Sequence, residues 1–197
     1  MNWPLATQYF RNMLGQAIVF WFTGLSGVGK TTLAEGLRNA LVEEGHKVLI
    51  IDGDDVRNRL HQHLGFTRGD ILKNNELIVQ LCFENKNQYH FILVPVISPY
   101  SESRALARLR LMPTFHEIYI TADLRVLQAR DTKGLYQAAR KNEIKNLIGV
   151  SPGSPYEEPE AAELVINTGI ESTTQSTVRL LKYANHCLGL LSKFKQN

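Results

Sequence analysis

One stretch constrains this chain more than any other. Gly24, Leu25, Ser26, Gly27, Val28, Gly29, Lys30 and Thr31 fit G-x-x-x-x-G-K-[ST]. The apolar run Ile18 to Phe22 precedes the motif and reads as a buried strand. Thr31 to Glu44 follows and reads as a helix, with Leu33, Leu37, Ala40 and Leu41 on one face. A glycine-rich turn between strand and helix lets successive backbone N–H groups point inward. The helix N-terminus adds the positive end of its dipole. Such a turn suits phosphate oxygens, with Lys30 reaching the outer phosphates of a nucleotide and the Thr31 hydroxyl placed to ligate Mg²⁺.

The remaining pattern alternates in the same way. Lys47 to Ile51, Phe91 to Val96, His116 to Thr121 and Glu163 to Asn167 read as strands. Helical stretches are expected near 55–63, 71–87, 101–111, 123–130, 136–142 and 174–192. Pro95 predicts that its strand ends in a distortion or lies at a sheet edge. Alternating strands and helices predict an α/β fold, a doubly wound and mostly parallel sheet flanked by helices. Ligands then sit at the carboxyl ends of the strands. The 197 residues suit one domain. The polar, turn-rich segment from about Lys133 to Pro159 is long for a connection and is expected to act as a lid.

Composition excludes little but helps. The charged share of 21% and net charge of +3 demand no nucleic-acid partner and suit a small anionic one. Two cysteines, Cys82 and Cys187, stand far apart in no metal-type spacing, which points to a reducing cytoplasmic setting. The run 17–22 is too short to span a bilayer, and the opening residues lack a basic-then-apolar leader pattern, so no membrane association is expected.

A phosphate loop alone does not name a reaction. The base-reading N-K-x-D of GTPases is absent, and Asp131 to Gly134 matches D-x-x-G only after a helix. A second signal is the cluster Asp52-Gly-Asp54-Asp55-Val-Arg57 at the end of the second strand. Carboxylates there can orient Mg²⁺ and accept a proton from a hydroxyl. Arg57 is placed to hold an anion by paired hydrogen bonds. Asp55 reads as a helix cap.

Taken in order, several stretches resemble the adenylylsulfate kinase family. They are Trp21 to Thr32, Asp52 to Arg57, Leu64-Gly-Phe66-Thr, Ile97-Ser98-Pro-Tyr100, Ala129 to Tyr136 and Tyr156-Glu-Glu-Pro159. The resemblance implies a P-loop NTPase-type fold and an enzyme that moves the γ-phosphoryl group of ATP to the 3′-hydroxyl of adenosine 5′-phosphosulfate (APS), with Mg²⁺ and as a homodimer. It implies that Asp54, helped by Asp52, orients or deprotonates that hydroxyl. Arg57 then binds the acceptor's anionic group, Phe66 stacks on its base and Asn74 hydrogen-bonds near it. Lys133 bridges acceptor and transferring phosphate, and Arg130 contacts the nucleotide. Ser98 matches a serine phosphorylated in some members. Read from the residues alone, Phe66 could equally be core, Ser98 a turn residue and Lys133 a surface charge.

Three departures concern the acceptor. Ile71 stands where the family has an arginine that contacts APS, Glu76 and Leu77 replace two further arginines, and Leu147 replaces an adenine-stacking phenylalanine. A charged hydrogen bond contributes roughly 1.5–3 kcal/mol and a stacked pair roughly 0.5–1.5 kcal/mol, so losing one of each weakens binding by a factor on the order of 10²–10³. Two alternatives follow: a kinase for another nucleotide acceptor, such as a cytidine or uridine diphosphate-like compound, and a nucleotide-binding regulatory domain.

Overall fold

A computed structural model describes residues 16–60 and 64–193. Five strands form one sheet in the order β2-β3-β1-β4-β5, and every neighbouring pair is parallel. They are β1 (Ile18–Thr23), β2 (Val48–Ile50), β3 (Phe91–Pro95), β4 (Phe115–Thr121) and β5 (Leu164–Asn167). The helices are α1 (Lys30–Glu43), α2 (Gly53–Leu60), α3 (Arg68–Asn85), α4 (Ser101–Leu111), α5 (Leu124–Arg130), α6 (Leu135–Arg140) and α7 (Thr173–Lys193). The sequence expectation of a parallel α/β sheet holds. The last three residues of the helix expected at 55–63 lie outside the described residues.

The sheet is buried on both faces, which is why β1 reads as an unbroken apolar run. Ile18, Phe20 and Phe22 pack against Leu33, Leu37 and Leu41 of α1 and Leu180 and Ala184 of α7. Val19 and Trp21 point the other way, into Ile78, Val79 and Cys82 of α3 and Ala107 and Leu111 of α4. Full burial of each such side chain contributes about 1.5–3 kcal/mol. This two-sided packing holds the carboxyl end of β1, and so the loop that follows it, in place.

Pro95 corrects one expectation. Its strand is interior, not at an edge, and Pro95 is simply its last residue, opposite Phe22. Successive residues of a strand offer their N–H groups to alternate sides. Val96 N donates to Phe22 O of β1, and Leu93 O accepts from Ile51 N on the β2 side. The missing N–H of Pro95 therefore faces the β2 side, beyond the end of that ladder, where no hydrogen bond is lost.

Residues 141–155 are turn-rich as expected but tightly laid down. Leu147 and Ile148 are buried, Gly149 N donates to Ser154 O at 2.7 Å, and Leu147 N donates to Ser151 Oγ at 3.0 Å. Gly149 has φ +76°, and a Cβ there would lie 2.4 Å from Leu25 Cδ2, so only glycine lets this segment rest on the phosphate loop.

His116 sits on β4 with the Tyr183 hydroxyl 2.8 Å from Nδ1 and Cys187 Sγ at 4.0 Å. Burial holds its pKa below the ordinary imidazole value, Glu163 opposing and Arg108 adding to the shift. The unfolded chain therefore takes up a proton at a higher pH than the folded one, and stability falls as pH drops below about 6.5. Melting temperatures measured from pH 8 to pH 5 should decline over that window in the parent and decline less in His116→Gln. An equal decline in both would assign the effect to other groups.

Candidate active site

β1 ends at Thr23 and the chain turns through Gly24, which has φ +149° and whose absent Cβ would lie 2.1 Å from Ile120 O. Gly29, at φ +98°, stands at the start of α1 with no side chain capping the helix, and the first turn carries no acidic residue. The amides of that turn are left for an anion. Lys30 Nζ donates to the carbonyls of Gly24 and Leu25, each at 2.9 Å. Burial is the main cause that pushes its pKa down to about 8, with Asp54 and Asp52 opposing and Lys133 adding to the shift.

From Lys30 a line of paired groups crosses the mouth of the loop. Thr31 Oγ1 donates to Asp52 Oδ2 at 2.8 Å, and Asp52 Oδ1 accepts from Asp54 N at 2.8 Å. Asp54 Oδ2 lies 2.7 Å from Lys133 Nζ, in an ion pair that bridges the start of α2 and the turn between α5 and α6. Both partners are more than half exposed, so the pair contributes little stability. Its carboxylate and ammonium therefore remain available to a ligand.

These residues line one cavity of about 570 Å³. Its back is Ser26, Gly27, Val28, Gly29, Lys30 and Thr31, and its mouth holds Asp52, Asp54 and Lys133. Arg130 lines it too, with Nη2 donating to Thr168 O at 2.6 Å. Sequence reasoning missed Thr168, Glu171, Ser172 and Thr173, which close the cavity beyond β5. No motif marks them, although the rule that ligands sit past the carboxyl ends of parallel strands pointed to this loop. Gly24 and Leu25 contribute to the site through their carbonyls without lining this cavity.

Of the expected acceptor residues Arg57, Phe66 and Asn74, none lines the cavity, and Arg57 and Phe66 lie together. Arg57 Cζ sits 4.8 Å from the centre of the Phe66 ring, and its Nη1 donates to Gly65 O. Burial lowers the Arg57 pKa, with Asp54 and Asp70 opposing. Phe66 is 56% exposed, so it is not a core aromatic. Asn74 is buried. Its Nδ2 is 3.5 Å from Gly53 O, and its Oδ1 has no hydrogen-bond partner among the described residues.

Ser98 lies outside the lining of this cavity. It is 1% exposed at φ +43°. Its hydroxyl accepts from Asn75 Nδ2 at 3.1 Å and lies 3.2 Å from Ser103 Oγ. Its neighbour Ile97 does line the cavity. The departures also take definite places. Ile71 is buried with Tyr100 and Ile148, and Leu147 lies in the core packed beneath the phosphate loop. Arg68 lies over the Tyr100 ring at 4.8 Å and pairs with Glu102 at 2.8 Å.

The chain is similar to known proteins over most of its length. Residues 16–167 match the family described as adenylylsulphate kinase. The adenylyl-sulfate kinase of Bacillus pumilus is 41% identical over 166 residues, covering 84% of this chain and 83% of its own. A structure of the Mycobacterium tuberculosis APS kinase in complex with AMPPNP and APS superposes with a TM-score of 0.80 at 33% identity, over 85% of this chain and 96% of that one. The hexameric APS kinase of Thiobacillus denitrificans has a TM-score of 0.63 at 27% identity, over 88% of this chain and 30% of that longer one. With a match this long, and the phosphate loop facing an acidic pair across one cavity, the chain belongs to the adenylylsulphate kinase family.

Proposed function

We propose that this protein transfers the γ-phosphoryl group of ATP to the 3′-hydroxyl of APS, giving 3′-phosphoadenosine 5′-phosphosulfate. The observation that carries the reading is the placement of Asp54 and Lys133, paired at 2.7 Å, across one cavity from the phosphate loop. A domain that only sensed a nucleotide needs no carboxylate and ammonium at the place where a second substrate would meet the outer phosphate.

The roles follow from charge and reach. The α1 amides and Lys30 hold the triphosphate, and Arg130 with the loop 168–173 borders the far end of the nucleotide cavity. Asp54 orients the acceptor hydroxyl and takes its proton as the new P–O bond forms and the bond to the β-phosphate oxygen breaks. Lys133, released from Asp54 by the acceptor, offers its charge to the transferring group. Thr31 Oγ1 and Asp52 Oδ2, side by side at 2.8 Å, are hard oxygen donors suited to Mg²⁺. Among the described residues no group of three or more His, Cys, Asp or Glu side chains could hold a metal ion. Magnesium bound there neutralises charge on the phosphates. On the acceptor side Arg57, Phe66 and Asn74 receive the nucleotide.

One observation favours a second reading. Ile71 is buried against Tyr100 and Ile148, and Leu147 lies in the core beneath the phosphate loop, so neither the arginine nor the stacking phenylalanine of the family pattern stands at these two positions. That favours a different nucleotide acceptor on the same machinery. Labelled ATP offered with APS and with cytidine or uridine diphosphate-like acceptors separates the two. Turnover of APS supports the first reading, and turnover confined to the others replaces it. We further propose one domain with the segment 133–159 as its lid, a homodimer that a sizing measurement would test, and a cytoplasmic setting. That setting suits the two buried free cysteines. No helix among the described residues is long and apolar enough to cross a membrane.

Two substitutions test the roles. Asp54→Asn should lower kcat on the order of 10²- to 10⁴-fold while ATP affinity, measured by calorimetry, changes little. Parental turnover would remove Asp54 from the mechanism. Ser98→Ala should lose about 1 kcal/mol of stability from the buried hydroxyl cluster and keep its turnover. Loss of turnover in a stable Ser98→Ala protein would restore Ser98 to the chemistry.

A further inference from the structure

Arg104 is one of the few charged side chains buried in this molecule, at 4% exposure on α4. Its guanidinium reaches three segments far apart in sequence. Nη1 donates to Ser98 O at 2.8 Å, Nη2 donates to Glu157 O at 2.7 Å, and Nε lies 2.7 Å from Glu117 Oε1 on β4. Burying such a pair is costly, and apolar residues of similar volume generally hold a fold as well. Stability alone gives no reason to keep it, so its geometry calls for another role.

Two of these segments, those of Ser98 and Glu157, lead toward the proposed acceptor side, while Glu117 ties Arg104 to the sheet. The Ser98 carbonyl belongs to a strained turn at φ +43°, whose neighbour Ile97 lines the cavity. Thr23 Oγ1 pulls the same turn inward by donating to Ile97 O at 2.7 Å. The Glu157 carbonyl marks the return of the turn-rich segment. There Glu157 N donates to Pro99 O at 2.8 Å, and its Oε2 accepts from Ser101 N and Oγ at 2.7 and 2.6 Å. The Tyr156 hydroxyl lies 2.8 Å from Thr23 Oγ1. Between these anchors Ile148 packs on Ile71 and Tyr100, with Ile97 and Tyr156 against them.

We infer that Arg104 is a positioning residue for the acceptor site: it sets the segment returning at Glu157 in register with the Ile97–Ser98 turn, so that the apolar wall of Ile71, Tyr100 and Ile148 is preformed. It touches no reacting group and lies outside the cavity lining. The inference rests on the proposed placement of the acceptor beside this wall.

The test compares Arg104→Met/Glu117→Met, which removes both buried charges, with Arg104→Lys, which keeps a cation near Glu117 but cannot hold two carbonyls at once. The double variant should melt within a few degrees of the parent. Its KM for APS should rise about tenfold while its KM for ATP stays within about twofold, as expected for lost positioning on one side only. Trypsin should cut at the exposed Lys145 several-fold faster than in the parent. A stable double variant with parental APS KM and parental cleavage overturns the inference. Should the double variant fail to fold, Arg104→Lys decides. It should show the same split and the same faster cleavage, and parental values in both would overturn the idea. If the parent itself does not use APS, the proposed function falls, while the cleavage rates still judge Arg104.

Discussion

The Lys30 ammonium is the group on which the rest of the site depends. It is half-buried in the phosphate loop, with two carbonyl oxygens, of Gly24 and Leu25, as its hydrogen-bond partners. A desolvated cation hydrogen-bonded to neutral dipoles is incompletely compensated, which lowers its pKa although Asp54 and Asp52 oppose the shift. Phosphate oxygens supply what the carbonyls lack. The sheet makes this arrangement possible, because β1 is packed on both faces and presents its carboxyl end, and hence the loop, without freedom to relax. Gly24, pressed against Ile120 O, is where that rigidity meets the turn.

The same logic runs outward from Lys30. Thr31, Asp52, Asp54 and Lys133 are hydrogen-bonded to one another in sequence across the mouth of the site. Each of these contacts is exposed and individually weak. Under the proposed function a nucleotide with its metal and an acceptor hydroxyl would replace them. Lys133 comes from a turn bounded by Asp131 at φ +28° and Gly134 at φ +68°, and Tyr136 just beyond donates its hydroxyl to Ser26 O of the phosphate loop. The turn that carries Lys133 is thus tied to the phosphate loop.

Much of this was legible in the sequence, and the reasons differ by residue. The phosphate loop and the acidic cluster were readable because their chemistry requires particular residues at particular spacings beside a strand. The parallel sheet was readable because strands buried on both faces leave unbroken apolar runs. Pro95 was misjudged because the side to which a strand residue offers its N–H depends on where the neighbouring strand stops, which is a tertiary fact. The motif at Ser98 did not reveal its setting, a positive φ with the hydroxyl held by the buried Asn75 amide. The loop 168–173 carried no motif, and nothing near Arg104 in the sequence revealed its partners. Their significance lies in which distant segments they meet.

The central claim is that the desolvated Lys30 charge is held for the phosphates and contributes little to the fold. Calorimetric titration of Lys30→Met with ATP and magnesium tests it most directly, read beside the melting temperature. The account predicts affinity weaker by a factor on the order of 10² or more, in a protein that melts no lower than the parent, because a desolvated charge whose hydrogen bonds go to carbonyls alone has been removed. Parental affinity, or a protein that binds normally but no longer folds stably, would contradict it.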